Sequence, residues 1–513
     1  QKSGGAIAIP SSITISPSDT SAQGDTYLIL NGSNQIASSA TLTFAPVRAM
    51  NAYFELLGNQ QTLAGIVDSS GRGIIENAEQ QSGISSNGTL TINNTANCTY
   101  GGYIRNGDFA ANAASTGLLA LVKSGSGTLT LLGGNCSAYT GGLTVNAGTL
   151  DYSGAGVLPG TPTAYPSGPT GPTSPATITP CPYTINGGTL NIGWLSASIG
   201  PLQITGGTLT GTGTLVSNAA YDVQAGTVNA VLGGSVGLNK TTAGVATVSA
   251  PIYIGTTNVS SGTLNLTGAL PTGNYAISGG TLNTAALSAS IGALQITGGT
   301  LTGTGTLLSN AAYDVRGGRV DVVLSGGSLG LTKSGPATAL LTGANSYGGR
   351  TTVAGGTLEL GSAAENCVLN VGGADIQSGS LVFDYAAGAD PIATIQSLLK
   401  ASYDGGRWDV GQFRDSTAAA TGLTLGCVDN TATDQVKVMA TYPGDFNLDG
   451  VVDSQDEAIW AANVFTGSSW QQGDANYDGA VNGLDRDLWY SHLGLPPLAA
   501  ALPSGGATAV PEP

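Results

Sequence analysis

The chain has 513 residues, 80 of them glycine, with 41% hydrophobic residues, only 9% charged residues and a formal net charge of −16. A net anion of this kind argues against nucleic-acid or anionic-membrane partners, and no apolar run of about twenty residues marks a membrane span. So much glycine can signal disorder, but the recurrent Val, Ile and Leu argue for packed strands instead. The numbering opens at Gln1 without Met and without a basic-then-apolar leader, so if the protein is secreted its signal peptide is expected to have been removed from this numbering already.

In chain order, residues 1–85 hold the strand-like runs AIAIPSSITIS and TYLILNGSNQIASSATLTF, which predict an N-terminal cap and the first coils. Residues 86–385 are repetitive. Gly-Thr-Leu or a close variant begins at Gly188, Gly207 and Gly226, then at Gly280, Gly299 and Gly318, in steps of 19. Block 183–274 recurs as 275–366: SASIGPLQITGGTLTGTGTLVSNAAYDV, from Ser196, is matched from Ser288, 92 residues on. Short alternating strands with a period of about 20 and glycine corners predict stacked coils of a β-solenoid. Leu202, Ile204 and Leu209 should face one core while the alternating threonines face out. Residues 154–182, with eight prolines, read as an extended loop or linker.

Two segments, LVKSGSGTLTLLGGNCSAYTGGLTVNAGTL from Leu121 and LTKSGPATALLTGANSYGGRTTVAGGTLEL from Leu331, resemble the autotransporter-associated β-strand repeat. A degenerate copy starts at Leu238 and lacks the Tyr-x-Gly-Gly corner. The resemblance implies an all-β fold, a right-handed parallel β-solenoid, secreted or displayed at a bacterial surface. Acids are rare in the duplicated blocks. Asp222 and Asp314 occupy equivalent positions, which marks a repeated turn rather than a catalytic pair. The one histidine, His492, reads as a surface or packing residue, so no enzyme is expected. Five cysteines without a CxxC pair leave two disulfides and a spare thiol possible, with the pairing open.

Residues 386–442 read as the solenoid's C-terminal cap, with one amphipathic helix from Pro391 to Tyr403 placed to cover an open sheet end. In residues 443–494 the carboxylates crowd. Asp445, Asn447, Asp449, Asp453 and Asp456 occupy positions 1, 3, 5, 9 and 12 of a twelve-residue loop, with Gly450 at position 6. Asp474, Asn476, Asp478, Asn482 and Asp485, with Gly479, repeat that spacing 29 residues later. Such a register aims oxygens at one hard cation. Ile459 and Trp460 are matched by Leu488 and Trp489, so the two loop–helix units should pack as a pseudo-twofold pair.

This module resembles a type I dockerin. The resemblance implies two calcium ions, with the backbone carbonyls of Val451 and Ala480 completing the two ligand sets. Four carboxylates in the first loop against three in the second predict tighter binding at the first. It also implies cohesin contacts at loop positions 10 and 11, here Ser454 and Gln455, then Gly483 and Leu484. These pairs are mismatched, which argues against symmetric docking and leaves a clamp on its own solenoid or on a neighbouring subunit. The tail, 495–513, ends in AVPEP and resembles the start of a Pro-Glu-Pro sorting signal. The combination is similar to secreted surface proteins of planctomycete type. The expected function is a structural subunit, extracellular or at the cell surface, that self-associates into a fibre or layer. A cohesin-anchored adhesin or scaffold component and a carbohydrate-active β-helix enzyme remain as alternatives.

Overall fold

Strands of three or four residues need a sharp corner soon after them, and the Gly-Thr-Leu steps supply it. The computed structural model describes residues 7–16, 24–47, 50–77, 83–107, 116–133, 139–160 and 180–498. Most of the Pro-rich stretch, Cys136 and the AVPEP tail lie outside the described residues. Gly188 and Gly207 have φ of 64° and 69°, a left-handed conformation that L side chains avoid. A Cβ on Gly188 would also lie 2.5 Å from the Gly148 carbonyl oxygen of the preceding coil. A 19-residue step therefore holds three strands, as in Leu202–Ile204, Thr208–Thr210 and Thr214–Ser217.

The chain forms two compact units, residues 1–257 with 262–271 and residues 258–261 with 272–513, divided close to the junction of the duplicated block. In the first, parallel in-register pairing builds the ladder Leu129, Leu150, Leu190, Leu209, Val228, Val248, Leu266. Every one of these side chains is fully buried, and each contributes roughly 1.5–3 kcal/mol by leaving water. The preceding residues, Thr128, Thr149, Thr189, Thr208 and Thr227, form the half-exposed ladder on the other face. In the second unit the equivalent ladder is Leu282, Leu301, Val320, Leu341, Leu360, Phe383. Both units are parallel β-solenoid.

Apolar ladders are interrupted by lysine. Lys123 lies in register between Ile92 and Val145, and Lys333 between Val315 and Val353, each fully buried. A buried ammonium must find acceptors for its three donors. Lys333 Nζ donates to the carbonyls of Ser334, Gly335 and Gly355 at 3.1, 2.8 and 2.8 Å. Lys123 reaches those of Gly125 and Ala147, and Lys240 that of Thr242. A tyrosine follows each lysine and is anchored through its hydroxyl: Tyr139 to Tyr152 at 2.6 Å, Tyr253 to Thr257 at 2.8 Å, Tyr347 to Thr351 at 2.9 Å. The degenerate segment from Leu238 thus keeps the architecture of the other two copies without their corner sequence.

Several expectations need correction. Asp222 and Asp314 sit mid-strand, in Tyr221–Val223 and Tyr313–Val315, not in turns. Each accepts from a glutamine one coil back, Gln203 and Gln295, at 2.8 Å. Cys98, Cys181, Cys367 and Cys427 are free thiols, so no disulfide forms among the described residues. The C-terminal cap is more than a helix. Helix α1 (Ile392–Ser402) buries Ile395 and Leu399 and packs on the Phe413–Arg414 and Thr424–Asn430 strands. A short helix α2 (Ala418–Thr421) ends at Gly422, φ 72°. The strands Thr424–Asn430 and Gln435–Thr441 then form an antiparallel hairpin whose second strand pairs antiparallel with Ser380–Asp384. No helix among the described residues is long and apolar enough to cross a membrane.

Burial lowers the Lys333 ammonium to about 8 from 10.5. Between those values the unfolded chain binds more protons than the folded one, so this group makes stability rise with pH across that window. Lys333→Ala should cost about 2–4 kcal/mol, through the cavity and the stranded carbonyls. Urea unfolding at a series of pH values should show both the loss and a shallower rise with pH in the variant.

Candidate metal centre

The residues at loop positions 9 and 12 act first as helix signals. Asp453 caps helix α3 (Ser454–Asn463) and Asn482 caps helix α4 (Gly483–His492), and both ends form a capping box with the aspartate at position 12. Asp456 accepts from the backbone of Phe446 and Asp453 at 2.8 and 3.0 Å, and Asp485 from Ala475 and Asn482 at 2.9 and 2.9 Å. Each carboxylate at position 1 accepts from the glycine at position 6: Asp445 from Gly450 at 3.0 Å, Asp474 from Gly479 at 2.9 Å. Asn447 and Asn476 accept from Asp449 and Asp478 at 2.9 Å each, and these in turn from Val451 and Ala480 at 3.0 and 2.8 Å. Leu448 and Tyr477, at position 4, both take φ near the left-handed value, 57° and 55°. The two loops are thus the same structure twice.

The helices pair as the sequence predicts. Trp460 Nε1 donates to the Asn482 carbonyl at 2.8 Å, and Trp489 Nε1 to the Asp453 carbonyl at 2.9 Å. Each tryptophan therefore holds the N-cap of the other unit. Arg486 lies over both indoles, 5.5 and 5.9 Å from their centroids, and pairs with Glu457 at 2.9 Å. His492 Nδ1 lies 2.8 Å from the Leu488 carbonyl of its own helix, in a packing position.

Asp445, Asp456, Asp474 and Asp485 are all at most 2% exposed. Burial raises each carboxyl above the usual range, to about 6 for Asp456 and Asp474. Among the described residues no three His, Cys, Asp or Glu side chains converge as a ready-made cluster. The donors here are instead carboxylate, amide and carbonyl oxygens, a set that fits a hard divalent cation in kind. The buried Asp474 Oδ1 has no hydrogen-bond partner among the described residues, as an oxygen reserved for a cation would. Of the twelve expected ligand positions, the four at positions 1 and 12 are buried, while Asn447, Val451, Asp453, Asn476 and Asn482 are partly exposed and Asp449, Asp478 and Ala480 exposed.

Residues outside the motif lock the loops onto the solenoid cap, and sequence reasoning missed them. The Thr441 hydroxyl donates to Asp445 Oδ2. Lys400, from α1, donates to the Asp478 carbonyl at 2.8 Å. Tyr477 donates to the Leu425 carbonyl at 2.6 Å, and Trp470 Nε1 to the Asp445 carbonyl at 3.0 Å. Trp408, Trp470 and Tyr477 form one aromatic cluster with centroids 5.6 and 5.7 Å apart. The only available signal was the aromatic Tyr477 at loop position 4, matched by Leu448. Gly426 makes room for this packing: a Cβ there would meet Leu448 at 2.5 Å and Trp470 at 2.7 Å. Gly426→Ala should therefore loosen the module by about 1–3 kcal/mol, seen as an altered tryptophan emission with the far-UV spectrum of the coils unchanged.

Comparison with known families finds the passenger-associated-transport-repeat at residues 121–151 and 331–360. No curated protein and no solved structure matches the chain. The two matched segments are those that carry Lys123 and Lys333 at the ladder positions described above. These repeats point to a secreted, β-helical surface passenger.

Proposed function

We propose that this chain is a non-enzymatic structural protein, a β-solenoid subunit of an extracellular fibre or surface layer, whose C-terminal module is held by two calcium ions. The observation that carries this reading is the doubled loop, with its position 1 and 12 carboxylates buried together at the capped end of the second unit. Two buried acids in each loop, offset only in part by Lys437 beside Asp445 and Lys400 beside Asp474, would repel one another at neutral pH, and a divalent ion in each loop removes that cost. The ligands are Asp445, Asn447, Asp449, Val451, Asp453 and Asp456 for the first ion, and Asp474, Asn476, Asp478, Ala480, Asn482 and Asp485 for the second. Weakly charged, threonine-faced coils suit close packing between subunits, and solenoid ends are natural sites of strand addition.

A second reading has its own observation. Ser454, Gln455, Gly483 and Leu484, the positions through which a dockerin meets a cohesin, are all exposed, while the loops hold the cap through Thr441, Lys400 and Tyr477. A surface adhesin or scaffold component held by a cohesin-like partner would use that face, and a pull-down with cohesin-bearing proteins tests it.

Titration calorimetry of the full chain should show two calcium-binding events, with Asp456→Asn and Asp485→Asn each removing one. Electron microscopy of native material in calcium should show fibres or layers that chelator disperses. Monomeric particles at millimolar calcium would refute the assembly.

A further inference from the structure

We infer that the second loop is a divalent-cation-responsive latch that holds the module over the free edge of the Thr424–Asn430 strand. The inference rests on the calcium reading above and assigns the second site a regulatory task. Among the described residues that strand pairs on one side only, with Gln435–Thr441. Its other side offers backbone donors and acceptors that would recruit a further strand if bare. Module side chains occupy this edge. Tyr477 Oη donates to the Leu425 carbonyl at 2.6 Å, and Gln471 Oε1 accepts from the Asp429 amide at 2.8 Å. Leu425 and Asp429 are four residues apart and so lie on the same edge. The module thus supplies from side chains what a neighbouring strand would supply from its backbone.

The second loop controls that contact. Tyr477 lies between Asn476 and Asp478, two of the proposed ligands, so drawing those ligands inward fixes the backbone that carries the edge-binding hydroxyl. Asp474, with its unpartnered Oδ1, lines a cavity of about 300 Å³ with Gln396, Ser397, Lys400, Ser469 and Tyr477. Lys400 reaches into the loop, and a Cβ on Gly479 would lie 2.6 Å from its Nζ. Its charge offsets part of the carboxylate repulsion and so weakens cation binding at a site that already has one carboxylate fewer. The first loop has Lys437 as its neighbouring cation, which acts on Asp445 through space and shares a pocket with Asp449 and Gly450. Among the described residues Lys437 makes no hydrogen bond into the loop, whereas Asp445 accepts from Thr441 and from the Asp449 amide at 3.2 Å. The weaker site is the one wired to the strand edge, so it should respond first as calcium falls.

Hydrogen exchange on the full chain, with calorimetry on the same sample, tests this. Chelation should speed exchange across residues 424–430 at least about tenfold while the Leu294–Ile296 strand keeps its rate. Asp474→Asn in calcium should reproduce the effect, and Tyr477→Phe should bare the edge with both binding events retained. If that second variant folds and the first does not, chelation of the unaltered protein still decides. Two bound ions with exchange at 424–430 indifferent to chelator would overturn the latch and leave the calcium reading intact. No calcium binding at all would overturn both.

Discussion

Parallel, in-register stacking places each residue of a coil directly on its counterpart in the next. This constraint governs the rest of the molecule. A buried residue at one ladder position requires above it a residue that can also leave water, and a left-handed glycine at one corner requires room that only glycine leaves at the next. The Leu129 to Leu266 ladder and the Gly148–Gly188–Gly207 corner are two outcomes of the same rule. So is the buried lysine. Set into an apolar ladder, Lys333 is tolerated because the corner beside it turns three carbonyls toward its ammonium. The lysine ties successive corners together where a leucine would only fill space, and it recurs where the chain must turn within these repeats.

A stacked architecture has no intrinsic stopping point, so its end needs a separate device. In the second unit the parallel run is closed by a reversal of direction, the antiparallel hairpin of residues 424–441 on the Ser380–Asp384 strand. The reversal moves the problem one strand outward, to the far edge of Thr424–Asn430. The acidic module covers that edge with Tyr477 and Gln471, and Trp470 closes over Gly426. Helix α1 contributes from the other side by placing Lys400 against the second loop. What looks in sequence like an appended module is in structure the last layer of the cap.

Local patterns were legible where their physical cause is local. The step of 19, the core-facing Leu202, Ile204 and Leu209, and the equivalence of Trp460 and Trp489 in the two loop–helix units all follow from strand alternation, glycine corners and helix caps. The loop spacing of Asp445 to Asp456 is likewise a property of one turning backbone. Asp222 was misplaced into a turn because equivalence between repeats says that a position recurs, not what conformation it has. The degenerate copy from Leu238 has lost the corner sequence, yet Lys240 and Tyr253 preserve the contacts that the corner serves.

The amino-acid sequence alone therefore determined the coil, the direction its residues face and the oxygens gathered in each acidic loop, since these depend on neighbours a few residues apart. Only the tertiary structure decided where those loops are held. Thr441, Lys400 and Leu425 meet Asp445, Asp478 and Tyr477 across separations of 4, 78 and 52 residues. The longer two leave no periodic trace, and the shortest looks like an ordinary strand end. Whether a carboxylate lies bare in water or buried against a cap is set by what folds over it, which no local spacing records.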